Sequence, residues 1–164
     1  MNQDSPLLRY LDPALISVQS DISSAKKLLQ QMAHLLAKPL PAQTDENIEK
    51  NVYHCLLERE KIGNTGIGNG IALPHCRCAD TEKAIIAIIT LTRAIDFDSA
   101  DGQAVDIAFG LLVPEDASQH HLNLLADIAR LLSSQGVKDQ LVCAGSVDQI
   151  IDLITNWSAE QAAV

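Results

Sequence analysis

The amino-acid sequence predicts an α/β or α+β domain in which helices cover both faces of a central sheet. Apolar runs of strand length occupy 84–92 and 104–113, and segments with helical spacing of apolar residues stand on both sides of them. A chain of 164 residues can form one hydrophobic core without disulfides or metals, and it shows no internal repeat. We therefore expect one domain spanning residues 1–164.

Short apolar segments predict the strands of this sheet. The run AIIAIITLT at 84–92 is apolar almost throughout, which is typical of a strand covered on both faces. Residues 104–113 alternate after a Ser-Ala-Asp-Gly turn and predict a second strand. Weaker signals occur at 15–18 and at 71–73, immediately before Pro74.

The first two predicted helices are separated by the proline-broken segment KPLPAQ. One covers 23–37, and the other begins at Thr44 or Asp45 and ends at Gly63, a residue suited to a helix C-terminus. The apolar stripe of the second helix, continued by three and four residues, reaches Arg59, so we expect that side chain on the inward face. The stripe consists of Ile48, Val52, Cys55 and Leu56.

The last two predicted helices follow the sheet. Ser118 can cap the first of them, and on that register His121 falls in the first turn, at about the third helical position. The final helix starts with a capping box at 146–149, and residues 158–164 are expected to fray. The expected buried residues are Leu122, Leu125, Ile128, Ala129 and Leu132 in one helix, and Val147, Ile150, Ile151 and Ile154 in the other.

The composition excludes several classes of partner. A net charge of -9 repels phosphate backbones and anionic membranes, and aromatic residues make up only 3% of the chain, too few for broad base stacking. No apolar stretch is long enough to span a bilayer, and the N-terminus lacks a basic segment followed by an apolar one. We expect protein partners, no nucleic acid, no membrane insertion, a cytoplasmic location and four reduced cysteines.

The stretch GNTGIGNGIALPHCRC at 63–78 combines a glycine-rich loop with a histidine. The loop lacks the lysine of a P-loop and the third-glycine offset of the dinucleotide fingerprint, and it follows a helix where those motifs follow a strand. Two interpretations remain open. The loop is either a sharp helix-to-strand turn without a ligand, or a concavity whose backbone amides bind an anion.

His75 allows three interpretations. It can be a strand-end histidine bound to a backbone carbonyl, a metal ligand together with Cys76 and Cys78, or the acceptor of a phosphoryl group. A C-x-C pair without a second pair is a weak metal signal, and alternation places residue 76 on the opposite side from 75. No base is tied by spacing to any thiol, so a cysteine nucleophile is no better supported. We expect no metal and no cofactor.

A phosphoryl acceptor fits these residues best. Neutral imidazole is a nitrogen nucleophile, and a phosphohistidine can pass its group onward. The transferring group is anionic and requires donors, which the loop amides, Arg59 and the N-terminus of the helix carrying His121 could supply.

An ordered set of motifs resembles a known family, the fructose/mannitol-type enzyme IIA (EIIA type-2) domains of the bacterial phosphotransferase system (PTS). TGIGNGIALPH is most similar to the nitrogen-regulatory branch of that family. The resemblance covers about residues 10–157 and implies a mixed sheet flanked by helices on both sides. The motifs are ERE (58–60), TGIGNGIALPH (65–75), IDFD (95–98), DGQAVD (101–106), FGLLVP (109–114) and His121-Leu122.

The resemblance also implies roles for individual residues. His75 would be phosphorylated at Nε2 by a small HPr-like histidine phosphocarrier, of the NPr type in the nitrogen branch. His121, favoured over His120 by its position before Leu122, would hydrogen-bond the phosphoryl group, and Arg59 matches an arginine near the site. The backbone that would shape the pocket belongs to Asn64, Thr65, Gly66, Gly68 and Gly70.

The family contains both sugar-transport components and regulators. Because no IIB domain or permease follows in this chain, we interpret it as a regulator whose phosphorylation state selects its partners. A sugar-transport enzyme IIA that passes its phosphoryl group to a IIB domain is the alternative within the family. A metal- or anion-binding module without transfer activity is the alternative of another class. The sequence does not indicate the regulated targets.

Overall fold

The computed structural model describes residues 5–41 and 47–163. In this part of the chain six strands form one sheet, in the order β1-β5-β6-β3-β2, and β4 also pairs with β6. The strands are β1 (Ile16–Ser20), β2 (Gly66–Gly68), β3 (Ile71–Ala72), β4 (His75–Cys78), β5 (Ile85–Ile95) and β6 (Val105–Pro114). The helices are α1 (Ala25–Ala37), α2 (Ile48–Ile62), α3 (Gln119–Ser133), α4 (Val137–Cys143) and α5 (Val147–Ala162), and two short 3₁₀ helices (Pro6–Tyr10, Pro13–Leu15) precede β1.

Strand β6 organises the sheet. It pairs antiparallel with β5 and parallel with both β3 and β4, while β1 lies parallel to β5 on the far side. The register against β6 is the same for β3 and β4, so these two are one strand interrupted at Leu73-Pro74. Proline has no N–H for the ladder, which accounts for the interruption. The sheet is therefore mixed, as expected.

Hydrophobic residues pack on both faces of the sheet. Alternate residues of β5 point to opposite sides: Ala87 and Ile89 join the core beneath α1 and α2, whereas Ile86 and Ile88 join the core beneath α3, α4 and α5. Residues 86–91 of β5 are buried without a break, residues 92–94 are exposed, and β6 has no exposed residue. The prediction of two strands covered on both faces is confirmed.

The weaker strand predictions need correction at their ends. The segment predicted at 15–18 is β1 at Ile16–Ser20, so the observed strand is displaced toward the C-terminus. The run predicted at 71–73 stops as β3 after Ala72. His75 was expected just after a strand, and instead it begins a new one, β4, which continues to Cys78. Strands β3 and β4 are separated only by the interruption at Pro74, because pairing with β6 resumes at His75 in the same register.

Helix α1 lies within its predicted range of 23–37, and α2 agrees with its predicted face. Helix α1 is capped by Ser24, whose Oγ accepts the Lys27 N–H at 3.2 Å. In α2, Val52 and Leu56 are buried and the rest of the predicted stripe packs against the same core. The expected start of this helix at Thr44 or Asp45 lies outside the described residues. Gly63 ends α2 in an extended conformation (φ −177°), so its freedom to adopt positive φ is not used here.

The predicted face of α3 is wrong at Leu122 and only partly buried at two other positions. Leu122 is 46% exposed and Leu125 and Ala129 are only half-buried, although Ile128 and Leu132 are buried as expected. Apolar residues are so frequent in this helix that two overlapping stripes exist, and packing against the sheet selects the other one. The buried residues are Leu124, Ile128, Leu131 and Leu132.

The C-terminal helices also differ from expectation. Helix α4 was not predicted, since seven residues with one buried side chain, Leu141, are too few to show a periodic pattern. Helix α5 continues to Ala162 where fraying was expected from residue 158. Two contacts hold it: Trp157 Nε1–H donates to Ser134 Oγ at 2.8 Å, and Ser158 Oγ accepts the Ser5 N–H at 3.0 Å.

Replacing Gly110 with alanine is expected to destabilise the fold by about 1–3 kcal/mol, because overpacking forces neighbours out of place. A Cβ at this position of β6 would lie 2.2 Å from Sδ of the fully buried Met32. Urea unfolding measures the change in the free energy of unfolding. In the control, Gly145→Ala, the nearest atom is Gln149 Oε1 at 3.7 Å and stability should stay near that of the wild type. Equal stability of both variants would contradict the prediction.

Candidate functional site

A cavity of about 300 Å³ lies where β4 and β6 lead toward α3. Ligands of α/β proteins usually bind at the carboxyl ends of parallel strands, and β4 and β6 are parallel neighbours. The cavity brings together Arg59, His75 and His121, which the sequence places far apart on α2, β4 and α3. Its lining residues are Arg59, His75, Cys76, Arg77, Leu111, Val113, Ala117, His121, Leu122 and Leu125.

The charge of the cavity is opposite to that of the whole chain. Two arginines and two histidines line it, and the described lining contains no carboxylate, although the net charge is -9. Within the described residues neither Arg59 nor Arg77 forms a salt bridge. The apolar side chains of the wall exclude water and strengthen the local potential. The cavity is therefore suited to an anion.

The ring of His75 is held in one tautomer. Its Nδ1 lies 2.7 Å from the carbonyl oxygen of Leu73. A carbonyl can only accept, so the hydrogen of the neutral ring is on Nδ1. Nε2 is then left with an unprotonated lone pair, which is the form that a nitrogen nucleophile needs.

The ring of His121 has the opposite arrangement. It occupies the first turn of α3, and its Nδ1 accepts the backbone N–H of Ser118 at 3.1 Å. In the neutral ring the hydrogen is therefore on Nε2, which becomes a donor. The N-terminus of α3 adds the positive end of a helix dipole on the same side.

His120 is directed elsewhere. Its Nε2 lies 3.2 Å from the hydroxyl oxygen of Tyr10, and it does not belong to the cavity lining. Of the two adjacent histidines, the structure places His121 in the cavity.

Arg59 lies in the last turn of α2, where the sequence pattern predicts an inward side chain. Its Nη1 donates to the Gly63 carbonyl at 2.8 Å, which holds the guanidinium at the end of the helix. Further N–H groups of the fork remain for a ligand.

Arg77 was not singled out from the sequence. It lies two residues after His75 on β4, and side chains two apart on a strand share a face. Its Nη1 lies 3.3 Å from the Glu115 carbonyl oxygen. The alternation that separates residue 76 from 75 was the signal that could have identified it.

The structure does not bring the glycine-rich loop to the cavity. None of Asn64, Thr65, Gly66, Gly68 and Gly70 belongs to its described lining. Several loop amides already have partners within the chain: the N–H groups of residues 65, 66 and 69 donate to the side chains of residues 60, 64 and 101. The assignment of this backbone to a phosphate pocket stays a prediction.

Internal carboxylates occupy the donors of this loop. Asp101 accepts the Asn69 N–H at 2.9 Å and the Gln103 N–H at 3.1 Å, and these bonds lower the pKa of its carboxyl below the ordinary value. Glu60 accepts both the N–H and the hydroxyl of the buried Thr65. Gly68 and Gly70 have φ of 92° and 78°, so they serve the sharp turn between β2 and β3.

A second cavity of about 960 Å³ shares His121 with the first. Its lining contains both acidic and basic residues, with no excess of basic ones. It is therefore less suited to an anion than the first cavity. Its charged residues besides His121 are Arg9, Asp12, Asp80, Glu82 and Lys83.

The cysteines beside His75 are packed in the core. Cys76 borders the cavity, but Cys76 and Cys78 are both buried beneath α1 and α2, on the face of β4 opposite His75. Burial raises the pKa of the Cys76 thiol well above its ordinary value, and it raises that of Cys78 to about 11. Within the described residues no group of three or more His, Cys, Asp or Glu side chains is arranged to hold a metal ion.

Thiol labelling is expected to separate these cysteines. A thiol with a pKa of about 11 is only about a thousandth thiolate at pH 8, and the thiolate is the reactive form. We expect the exposed Cys143 to react first with a disulfide reagent, and Cys76 and Cys78 to react only after unfolding. Peptide mass spectrometry locates the label, and denatured protein provides the control in which all sites react. Rapid labelling of Cys76 in the folded protein would contradict this assignment.

Comparison with known proteins relates this fold and cavity to a family. Residues 9–157 match the family described as phosphoenolpyruvate-dependent sugar phosphotransferase system, EIIA 2. A nitrogen regulatory protein of Pseudomonas aeruginosa is 39% identical over 150 residues, which cover 92% of this chain and 95% of that protein. None of the described helices combines the length and apolar character that crossing a bilayer requires.

Solved structures agree with this relationship. The crystal structure of nitrogen regulatory protein IIA-Ntr from Neisseria meningitidis has a TM-score of 0.83 and 31% identity, covering 92% of this chain and all (100%) of that one. The mannitol IIA of Escherichia coli has a TM-score of 0.71 at 17% identity, covering 88% and 98% of the two chains, and shows the shared fold.

The match over most of the chain defines a phosphocarrier with a mixed α/β sheet. This chain belongs to the EIIA type-2 family of the phosphotransferase system. Membership implies exchange of phosphoryl groups with an HPr-type carrier.

Proposed function

We propose that this protein is a regulatory phosphocarrier of the nitrogen type. His75 accepts a phosphoryl group from an NPr-type carrier in the cytoplasm, and the phosphorylation state then decides which proteins bind. The observation that carries the proposal is the tautomer of His75, which leaves Nε2 unprotonated in a cavity of cations and donors without a carboxylate in its described lining.

The transfer step follows from the positions of the protons. The Nε2 lone pair of His75 attacks the phosphorus of the carrier's phosphohistidine, and the bond from phosphorus to the carrier nitrogen breaks as the new P–N bond forms. The electron pair of the broken bond stays on the carrier imidazole. The proton of His75 stays on Nδ1, which donates it to the Leu73 carbonyl oxygen, so no base has to remove it.

The transferring group carries its negative charge on three equatorial oxygens, and catalysis of this reaction is mainly positioning and charge stabilisation. His121 supplies the Nε2–H donor, Arg59 supplies a guanidinium, and the N-terminus of α3 supplies a dipole. All three lie around the same cavity as His75. This division of roles makes His75 the acceptor and His121 the stabilising donor.

The rim of the cavity offers a surface for the carrier. Leu122 lines the cavity and is 46% exposed. An exposed apolar side chain at the edge of the cavity gives a protein partner apolar area to bury. The same exposure that contradicts the predicted face of α3 therefore fits docking of a partner here.

Phosphorylation changes the charge of this rim. A phosphoryl group adds roughly two negative charges to a cavity whose fixed charges come from two arginines. Such a change can repel one partner and recruit another. The relatives named nitrogen regulatory proteins match 81–99% of this chain, whereas fructose-specific relatives match 61% of it, which favours the regulatory role over sugar transport.

Intact mass spectrometry after incubation with phosphoenolpyruvate, enzyme I and a carrier tests the proposal. We expect the mass of one phosphoryl group, located on His75 by tandem spectrometry, labile to acid and stable to base. It should appear faster with an NPr-type carrier than with a sugar-type HPr. No uptake from either carrier, or uptake at another residue, would overturn the proposal. Efficient onward transfer to a IIB domain would support the sugar-transport alternative instead.

A further inference from the structure

Arg77 occupies a position that the proposed transfer step does not use. It lies on the same face of β4 as His75, lines the same cavity, and is exposed. Within the described residues it has no carboxylate partner, although the chain is strongly acidic. Its positive charge is therefore available to a ligand of His75.

The present partner of Arg77 connects it to α3. Its Nη1–H donates to the Glu115 carbonyl oxygen, and the distance between the two heavy atoms is 3.3 Å. This is longer than the usual distance of about 2.9–3.0 Å for an N–H···O bond. Glu115 belongs to the turn between β6 and α3, residues 115–118, which we call the β6–α3 turn. This turn ends at Ser118, whose N–H fixes the ring of His121. Arg77 thus joins the strand of the acceptor histidine to the turn that orients the donor histidine.

We propose that Arg77 reads the phosphorylation state of His75. When His75 is unphosphorylated, the guanidinium holds the Glu115 carbonyl; when His75 is phosphorylated, the guanidinium moves to the phosphoryl oxygens and releases the β6–α3 turn. The inference rests on the proposed function and extends it, since it names the residue that converts the modification into a change of the protein surface.

The exchange of partners is favoured by charge. Both bonds have an ionised donor, but a phosphoryl oxygen is an ionised acceptor as well, so the guanidinium gains a Coulomb attraction there that the neutral carbonyl does not offer. The planar fork can also contact two oxygens at once, which a single carbonyl does not allow. No covalent bond of the chain changes in this step, and the weak bond at 3.3 Å is the one that is lost.

The released turn is exposed and lies beside the cavity. Glu115 and Asp116 are both exposed, and Ala117 lines the cavity itself. A protein partner that contacts this rim would therefore meet a different turn as well as a different charge in the two states. The partner this predicts is a protein that binds over the cavity and touches the β6–α3 turn.

The variants Arg77→Gln and Arg77→Lys test the inference, with Arg93→Gln as the matched control. Arg93 is 87% exposed on β5 and does not line the cavity, so its replacement removes the same charge elsewhere. The first measurement is the equilibrium of phosphoryl exchange between each variant and a known amount of phosphorylated carrier. We expect Arg77→Gln to shift it toward the carrier by about tenfold, because a partly exposed charge-assisted pair is lost. Arg77→Lys should shift it less, and Arg93→Gln should not shift it.

The second measurement follows the amide resonances of residues 115–117 by NMR, with phosphorylation driven to completion by excess phosphoenolpyruvate. In the wild type we expect these resonances to move on phosphorylation. In Arg77→Gln they should already be displaced before phosphorylation and move little afterwards. This readout depends on the exchange of partners and would not follow from charge alone.

The outcomes distinguish a failure of the role proposed for Arg77 from a failure of the proposed function. If wild-type His75 is phosphorylated but Arg77→Gln behaves like Arg93→Gln in the exchange equilibrium, the inference is overturned and the proposed function stands. The same holds if the turn resonances of Arg77→Gln respond to phosphorylation as the wild type does. If the wild type takes up no phosphoryl group, both proposals fail together.

Discussion

Replacing His75 with alanine is expected to abolish phosphoryl uptake completely. The proposed acceptor is a single atom, Nε2, and the second histidine of the cavity cannot replace it because its own Nε2 carries a hydrogen. The fold should be preserved. His75 is half-buried at the start of β4, and its ring hydrogen bond to Leu73 spans only two residues, so its loss should cost about 1 kcal/mol at most.

Intact mass and thermal unfolding together measure this result. His120→Ala is the matched control, because His120 is adjacent to the site in sequence but contacts Tyr10 instead of the cavity. It should be phosphorylated like the wild type. Phosphohistidine still forming on folded His75→Ala protein would show that another residue is the acceptor.

Replacing His121 with alanine is expected to slow phosphoryl transfer by about 10²–10³-fold while leaving His75 able to react. Loss of one preorganised donor to developing negative charge has an effect of this size. In the neutral ring the donor is Nε2–H, since Nδ1 accepts the N–H of Ser118. Rapid-quench measurement of transfer from the phosphorylated carrier determines the rate.

Glutamine at position 121 offers both a cap acceptor and a donor, which alanine lacks. Its amide keeps an N–H on a side chain of similar reach, so His121→Gln should recover part of the rate. Alanine loses the bond from the Ser118 N–H, which costs about 1 kcal/mol of helix stability, whereas the glutamine carbonyl accepts that N–H as in a capping box. His121→Ala should therefore be the less stable variant in denaturant unfolding. If alanine and glutamine transfer at the wild-type rate, His121 is not the stabilising donor.

The two rings of the cavity differ only in what their Nδ1 atoms meet. A carbonyl opposite Nδ1 of His75 and an N–H opposite Nδ1 of His121 produce opposite tautomers from the same side chain. One ring thereby presents a lone pair and the other a hydrogen. Neither property is visible in the residue types, because both depend on local backbone groups.

Local pattern predicts the strands at the centre of the sheet well. Both β5 and β6 are buried on two faces, and residues buried on both sides must be apolar in succession, which leaves a recognisable run. Strand β4 leaves no such trace. It is an edge segment of four residues, HCRC, and its pairing with β6 becomes apparent only when β6 lies beside it.

The face of α3 shows where pattern becomes ambiguous. Many apolar residues in succession allow two stripes. The stripe that packs against the sheet does not include Leu122 and leaves it exposed beside the cavity. Helix α5 shows a related effect at its end, since the contacts of Trp157 and Ser158 come from parts of the chain distant in sequence. Long-range contacts of this kind have no local signature.

Some features of the site can likewise be predicted from the sequence, and others cannot. The signature around His75, the order of the motifs and the inward position of Arg59 can be read in the chain, because they depend on residue identity and on helical periodicity. Alternation puts Arg77 on the face of His75, but only packing forms the cavity that both line. Packing also turns His120 toward Tyr10 and occupies the glycine-loop amides with Asp101 and Glu60. Those features depend on contacts between residues that are distant in sequence, and a local sequence pattern does not predict such contacts.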